Sequence, residues 1–136
     1  MRQSMCGNKG VKMKRAQDYL AEANAVVPKI SPQDAIAKHE AGNSLFIDVR
    51  ASTAIDESGT IAGALRIDRG FIEFAADDAT PHHNPALTKD AEIILICGAG
   101  GQAALTGKTL KDMGYENVSN AGGIGDWIAA GGKTEA

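Results

Sequence analysis

Ile93-Ile94-Leu95-Ile96-Cys97-Gly98-Ala99-Gly100-Gly101 is the stretch on which the fold turns. Its aliphatic residues are mostly β-branched and too few for a helix, so residues 93–96 read as a buried strand. Cys97 closes that strand, and the glycines after it open a turn. Residues 102–113 then follow a helical pattern that Gly114 ends. The thiol thus stands at a strand-to-helix turn. Glycines lack a Cβ, so successive backbone N–H groups can converge on one point, and the next helix adds the positive end of its dipole. Such surroundings stabilise a thiolate, which marks Cys97 as a nucleophile in an anion-binding cradle. A buried, inert cysteine packing as a small hydrophobe is the structural alternative. It gives no reason for the glycines at 98, 100 and 101, whose conformational entropy an ordinary turn need not lose.

Downstream, residues 115–119 form a further short strand and residues 122–129 a last helix carrying Trp127, closed by Gly131-Gly132. Upstream, Leu45-Phe46-Ile47-Asp48-Val49 is a buried strand ending between polar Asp48 and Arg50. Before it, Ser31-Pro32 with Asp34 starts a helix over residues 32–41, Ser31 capping and Gly42 stopping it. Residues 12–26 place Met13, Ala16, Tyr19, Leu20 and Ala23 at helical spacing. Residues 64–67 make another strand, residues 71–75 a helical turn, and residues 77–85 a surface loop with His82 and His83. Strands alternating with helices predict an α/β domain with a central, largely parallel sheet flanked by helices on both faces. Ligands of such sheets bind beyond the carboxyl ends of the strands, where Cys97 lies.

At 136 residues the chain suits one domain, and its 43% hydrophobic and 23% charged content is that of a soluble globular protein. No apolar run approaches the roughly 18 residues of a membrane span, and no secretory signal opens the chain, so a cytoplasmic protein that binds no membrane is expected. Cys6 and Cys97 read as free thiols, since pairing them would tie a terminal arm to mid-domain. Residues 1–15 hold Arg2, Lys9, Lys12, Lys14 and Arg15 and no acid, which leaves about −8 on the rest of a chain of net charge −3. An acidic body argues against nucleic acid as partner. Residues 1–10, without periodicity, read as a disordered tail.

Four motifs in order, Phe46-Ile47-Asp48-Val49-Arg50, Glu57-Ser58-Gly59-Thr60-Ile61-Ala62-Gly63-Ala64, Cys97-Gly98-Ala99-Gly100-Gly101-Gln102 and Gly122-Gly123-Ile124-Gly125-Asp126-Trp127, resemble a rhodanese-like domain. The resemblance covers about residues 27–132, with residues 1–26 as a basic arm and helix and 133–136 as a tail. It implies sulfur transfer through a Cys97 persulfide, as in the single-domain thiosulfate sulfurtransferases. Cys97 would attack the outer sulfur of thiosulfate or of a protein persulfide, and a thiophilic acceptor would discharge it. Amides of Gly98, Ala99, Gly100, Gly101, Gln102 and Ala103 would hold the anionic end of the donor and then the terminal sulfur. No metal or organic cofactor is called for.

Two positions depart from the family pattern. Gln102 stands where many active members have arginine, so the loop brings no charge and no guanidinium fork to thiosulfate. Thr60 replaces the usual histidine, at a position read as structural. Asp48 and Arg50 could support the cysteine loop or form a structural ion pair, and the second role is favoured. Lys89 and Lys108 could supply the missing positive field or merely solvate a surface. His39 is expected on the exposed side of its helix, His82 and His83 at the surface, and Trp127 as a packing anchor. Two other functions fit the resemblance: a non-catalytic or carrier module that holds or senses persulfide and docks a partner protein, and a phosphatase or arsenate reductase of the related fold. The latter lacks its arginine clamp here.

Overall fold

The computed structural model describes residues 13–136; the expectations for residues 1–10 and Cys6 fall outside them. Ala16–Val26 forms α1, Pro32–Ala41 α2, Ser44–Asp48 β1, Ser52–Ser58 α3, Thr60–Ile61 β2 and Leu65–Arg66 β3. A 3-10 turn over Arg69–Phe71 leads into α4, Ile72–Ala76. Glu92–Cys97 forms β4, Gly101–Asp112 α5, Val118–Gly123 β5, Ile124–Ala129 α6 and Thr134–Glu135 β6. β3, β1, β4 and β5 make an all-parallel sheet in that order, and β2 pairs antiparallel with β6 at its side.

β1 pairs with β3 on one side and β4 on the other, so the chain reverses its direction of travel across the sheet between β1 and β4. Crevices at the carboxyl ends of strands form at such a reversal. The core follows the two-residue period of β4, whose Ile93, Ile94, Leu95 and Ile96 are all fully buried. Ile93, Leu95 and Cys97 pack with Ile47, Leu110, Ala103 and Tyr115 on one face. Ile94 and Ile96 pack with Phe46, Ala35, Ile124 and Trp127 on the other. Each such aliphatic side chain contributes about 1.5–3 kcal/mol through burial. The same alternation turns Cys97 toward the face that α5 covers.

α2 begins and ends where its caps predict: Ser31 Oγ accepts from Asp34 N at 3.0 Å, and Gly42 takes the left-handed conformation at φ 78°. α1 is shorter than its spacing predicts, and it docks beside α5 at Gly107, where a Cβ would lie 2.8 Å from Val27 Cγ1. Four other expectations shift. α3 is unforeseen, because its single buried residue, Ile55, generates no periodicity. β5 starts at Val118 rather than Tyr115, since Tyr115 N bonds back to Leu110 O at 3.0 Å as the close of α5. Gly122 and Gly123 belong to β5, and the last helix starts only at Ile124. His39, expected to be exposed, is half-buried. Its ring lies 5.3 Å from those of Phe46 and Trp127, and Nε2 lies 2.8 Å from Ala62 O.

Candidate active site

Cys97 ends β4, and its side chain is enclosed by the turn that follows. Gly100 takes φ 98°, a left-handed value that favours glycine, and this reverses the chain into α5. Gly100 N donates to Cys97 Sγ at 2.9 Å, and Ala103 N, in the first turn of α5, donates at 3.4 Å. One donor thus comes from the loop and one from the unpaired amides that open every helix, where the dipole also favours negative charge. Of the six loop residues singled out in the sequence, these two meet the sulfur. Gly98 and Ala99 are exposed, Gly101 is half-buried, and Gln102 points its bulk to solvent. Cys97 itself is 1% exposed.

The loop rests on β5. A Cβ at Gly123 would stand 2.5 Å from Gly98 O and 3.3 Å from Ala99 Cα, so only glycine allows the strand so near the loop backbone. Between Leu95 and Cys97 the register of β4 against β5 slips, opposing Leu95 to Asn120 but Cys97 to Gly123, and β5 bulges there. Asn120 sits at that bulge, buried, and donates from Nδ2 to Gly100 O at 2.9 Å. Nothing in the sequence singled it out, since Ser119-Asn120 lacks the apolar alternation of a strand.

Asp48 and Arg50 form a buried ion pair away from the cysteine sulfur. Arg50 Nη2 lies 2.7 Å from Asp48 Oδ2, with side-chain exposures of 7% and 0%. Arg50 also donates to Ser58 Oγ at 2.8 Å and Gly59 O at 2.8 Å, and Thr60 Oγ1 donates to Asp48 Oδ2 at 2.7 Å. The pair therefore ties β1 to the end of α3 and the start of β2, and Thr60 supplies a hydroxyl bond.

Neither lysine weighed for the missing positive field is directed to that task. Lys108 pairs with Asp112 at 3.1 Å, and Lys89 Nζ lies 4.6 Å from the centre of the Tyr115 ring. Lys29, which the sequence did not single out, lines a cleft of about 340 Å³. Ala99, Gly100 and Gly101 line that cleft together with the α1 residues Leu20 and Asn24 and with Asp126. Its size falls in the range of small-molecule sites. Among the described residues, Lys29 makes no salt bridge. His82 is exposed against Phe71, and half-buried His83 lies 3.3 Å from Leu87 O through Nε2. Trp127 is buried and donates from Nε1 to Lys133 O at 3.0 Å. No helix among the described residues is long and apolar enough to cross a membrane.

The family model of the rhodanese-like domain matches residues 31–130. Among solved structures, a Rhodopseudomonas palustris protein of unknown function, RPA3614, described as a possible tyrosine phosphatase, is 32% identical with a TM-score of 0.86, and the match covers 99% of both chains. The polysulfide-sulfur transferase of Wolinella succinogenes, a homodimer, is 25% identical with a TM-score of 0.66, over 85% of this chain and 83% of that one. YrkF of Bacillus subtilis, whose name proposes a sulfur carrier protein, is 28% identical over 125 residues, 90% of this chain. The chain spans about 61% of the length of YrkF.

Proposed function

The chain belongs to the rhodanese-like domain family, whose chemistry is sulfur transfer, and we propose that it moves a sulfane sulfur through a persulfide on Cys97. The observation that carries this reading is the pair of N–H donors, Gly100 and Ala103, aimed at one sulfur at the carboxyl end of β4. Cys97 as thiolate attacks the outer sulfur of the donor. A new S–S bond forms to Cys97 while the donor's own S–S bond breaks, and the leaving group departs with that electron pair: sulfite from thiosulfate, or a thiolate from a persulfide. An acceptor thiolate then takes the outer sulfur, and Cys97 returns as thiolate with no outside oxidant or reductant. The two amides stabilise negative charge in both half-reactions.

The choice of donor turns on charge. Gln102 donates hydrogen bonds but carries no charge, so thiosulfate meets no cation on the loop itself. Lys29 lies in the neighbouring cleft, where a small anionic donor or the anionic part of a persulfide-bearing partner finds one. A second reading, a carrier that holds persulfide for a partner protein, draws support from the uncharged loop and from the 1% exposure of Cys97. A sulfur bonded to Cys97 reaches about 2 Å beyond Sγ, which brings it nearer an acceptor than the thiol itself. The tyrosine phosphatase activity suggested for the Rhodopseudomonas palustris protein would need an arginine on the loop to clamp a phosphoryl group. Residues 97–103 contain none, and Arg50 is committed to Asp48.

Steady-state turnover separates the readings. With thiosulfate and a thiol acceptor, sulfite release that continues over many cycles and disappears in Cys97→Ser supports the enzyme. Loading that stops after one sulfur with thiosulfate but is relayed between proteins supports the carrier. Turnover retained in Cys97→Ser contradicts both.

A further inference from the structure

Asn120 is 3% exposed in the middle of β5, a position where a polar side chain costs free energy unless both of its ends are bonded. Both are. Nδ2 donates to Gly100 O at 2.9 Å, and Oδ1 accepts from Gly122 N at 2.8 Å. A carbonyl at one end and an N–H at the other allow only one orientation of the amide. The backbone of Asn120 is held as well: its N–H donates to Pro28 O at 2.8 Å, and its carbonyl accepts from Ile30 N at 3.0 Å. It is therefore a fixed point between the segment that follows α1 and the cysteine loop.

What Asn120 fixes is the residue that faces the sulfur. Gly100 O accepts from Asn120 and also from Ala104 N at 3.0 Å, so Gly100 is gripped by β5 and by α5 together. Its own N–H, on the other side of the same Cα, meets Cys97 Sγ at 2.9 Å. At φ 98° and with no side chain, Gly100 has wide conformational freedom, and a second anchor removes it. A leucine would fill the same slot in the strand, yet take from Gly122 N and Gly100 O the bonds that Asn120 gives them. The polar side chain is thus accounted for by the two backbone groups it bridges, one on the loop and one on β5, and not by packing. We infer that Asn120 is a positioning residue for the Cys97 chemistry, holding Gly100 so that its N–H stays on the sulfur. This rests on the reading of Cys97 as the sulfur-bearing nucleophile and deepens it.

The test compares wild type with Asn120→Leu and, should that variant fold poorly, Asn120→Ser, whose small side chain spares the packing. Three readouts are taken on folded protein: kcat and KM for sulfur loading, the Gly100 amide proton resonance, and the rate at which iodoacetamide alkylates Cys97. Positioning predicts a fall in kcat of about five- to tenfold, the size of one ordinary hydrogen bond, with KM unchanged. It also predicts a displaced Gly100 resonance and slower alkylation, while the resonances of β2 and β6 stay in place. An unmoved Gly100 resonance, or kcat and alkylation rates equal to wild type, would overturn it. Alkylation needs no sulfur donor, so the two ideas fail separately. If no donor loads wild-type Cys97 but the variants alkylate more slowly, sulfur transfer is wrong and the role of Asn120 stands.

Discussion

Replacing Arg50 with methionine removes a charge while keeping an unbranched chain in the same slot. Asp48 is completely buried, and without the guanidinium it keeps only the Thr60 hydroxyl at 2.7 Å and the backbone N–H of residue 50 at 3.0 Å. Ser58 Oγ loses the bond from Arg50 in the same step, and Gly59 O keeps only the Ser58 hydroxyl at 2.9 Å. Breaking a buried pair from one side costs about 3–5 kcal/mol, because the remaining charge is left in a medium that cannot solvate it. Domains of this kind have about 5–15 kcal/mol in all, so Arg50→Met should move the urea midpoint far toward zero and can leave the protein barely folded at 37 °C. The double variant Asp48→Leu/Arg50→Met removes both charges and should recover much of the loss, giving a coupling of opposite sign to the single effects. Equilibrium unfolding of the four proteins measures the cycle. Where folded protein remains, Cys97 should load sulfur at the wild-type rate per folded molecule, since neither residue touches the sulfur. A loss below about 1 kcal/mol in Arg50→Met, or a loading defect without a stability defect, would refute the structural role given to the pair.

Gly123→Ala places a Cβ 2.5 Å from Gly98 O while leaving a backbone, φ −95°, that any residue adopts, so the effect is steric alone. It should cost about 1–3 kcal/mol in urea unfolding and slow sulfur loading at least tenfold by displacing the loop; loading at the wild-type rate would show that the loop does not need that contact. Gln102→Arg sits at an exposed position, should change stability by no more than about 0.5 kcal/mol, and should lower KM for thiosulfate; an unchanged KM would mean that the anion is held elsewhere. The Glu92 carboxyl is held below its ordinary value of 4.5, first by the hydrogen bond from Lys38 at 2.7 Å and then by that from Ser44. A depressed carboxylate contributes stability that is present above pH 4.5 and fades as the pH falls through the folded value. Wild type should therefore lose stability relative to Glu92→Gln on going below pH 4.5, by no more than about 1 kcal/mol for a pair this exposed; parallel curves would remove the pair from the account.

Much of the fold was legible where one local signal sufficed. The aliphatic run of β4 followed by glycines placed the cysteine at a strand end, and Ser31, Pro32 and Gly42 marked both ends of α2. At the candidate site, the glycine turn after Cys97 was legible locally, and Asp48 and Arg50 form the ion pair, joined by the Thr60 hydroxyl, that a structural reading expects. What the sequence hid depends on partners distant in the chain. Asn120 has meaning only through Gly100, 20 residues earlier, and Lys29 only through a cleft that α1 completes. His39 follows Ala35 by four residues and so shares its helix face, but the burial of that face comes from the sheet and from Trp127, far away in the chain. α3 gave no signal, because one buried isoleucine in seven residues has no period.

Intact mass spectrometry with peptide mapping reads whether Cys97 carries the sulfur. After incubation with thiosulfate or a small persulfide, the protein should gain one sulfur atom, located on Cys97 and removed by a thiol acceptor. Wild-type protein that gains no sulfur from either donor, or a Cys97→Ser variant that gains it as wild type does, would mean that Cys97 is not the sulfur carrier.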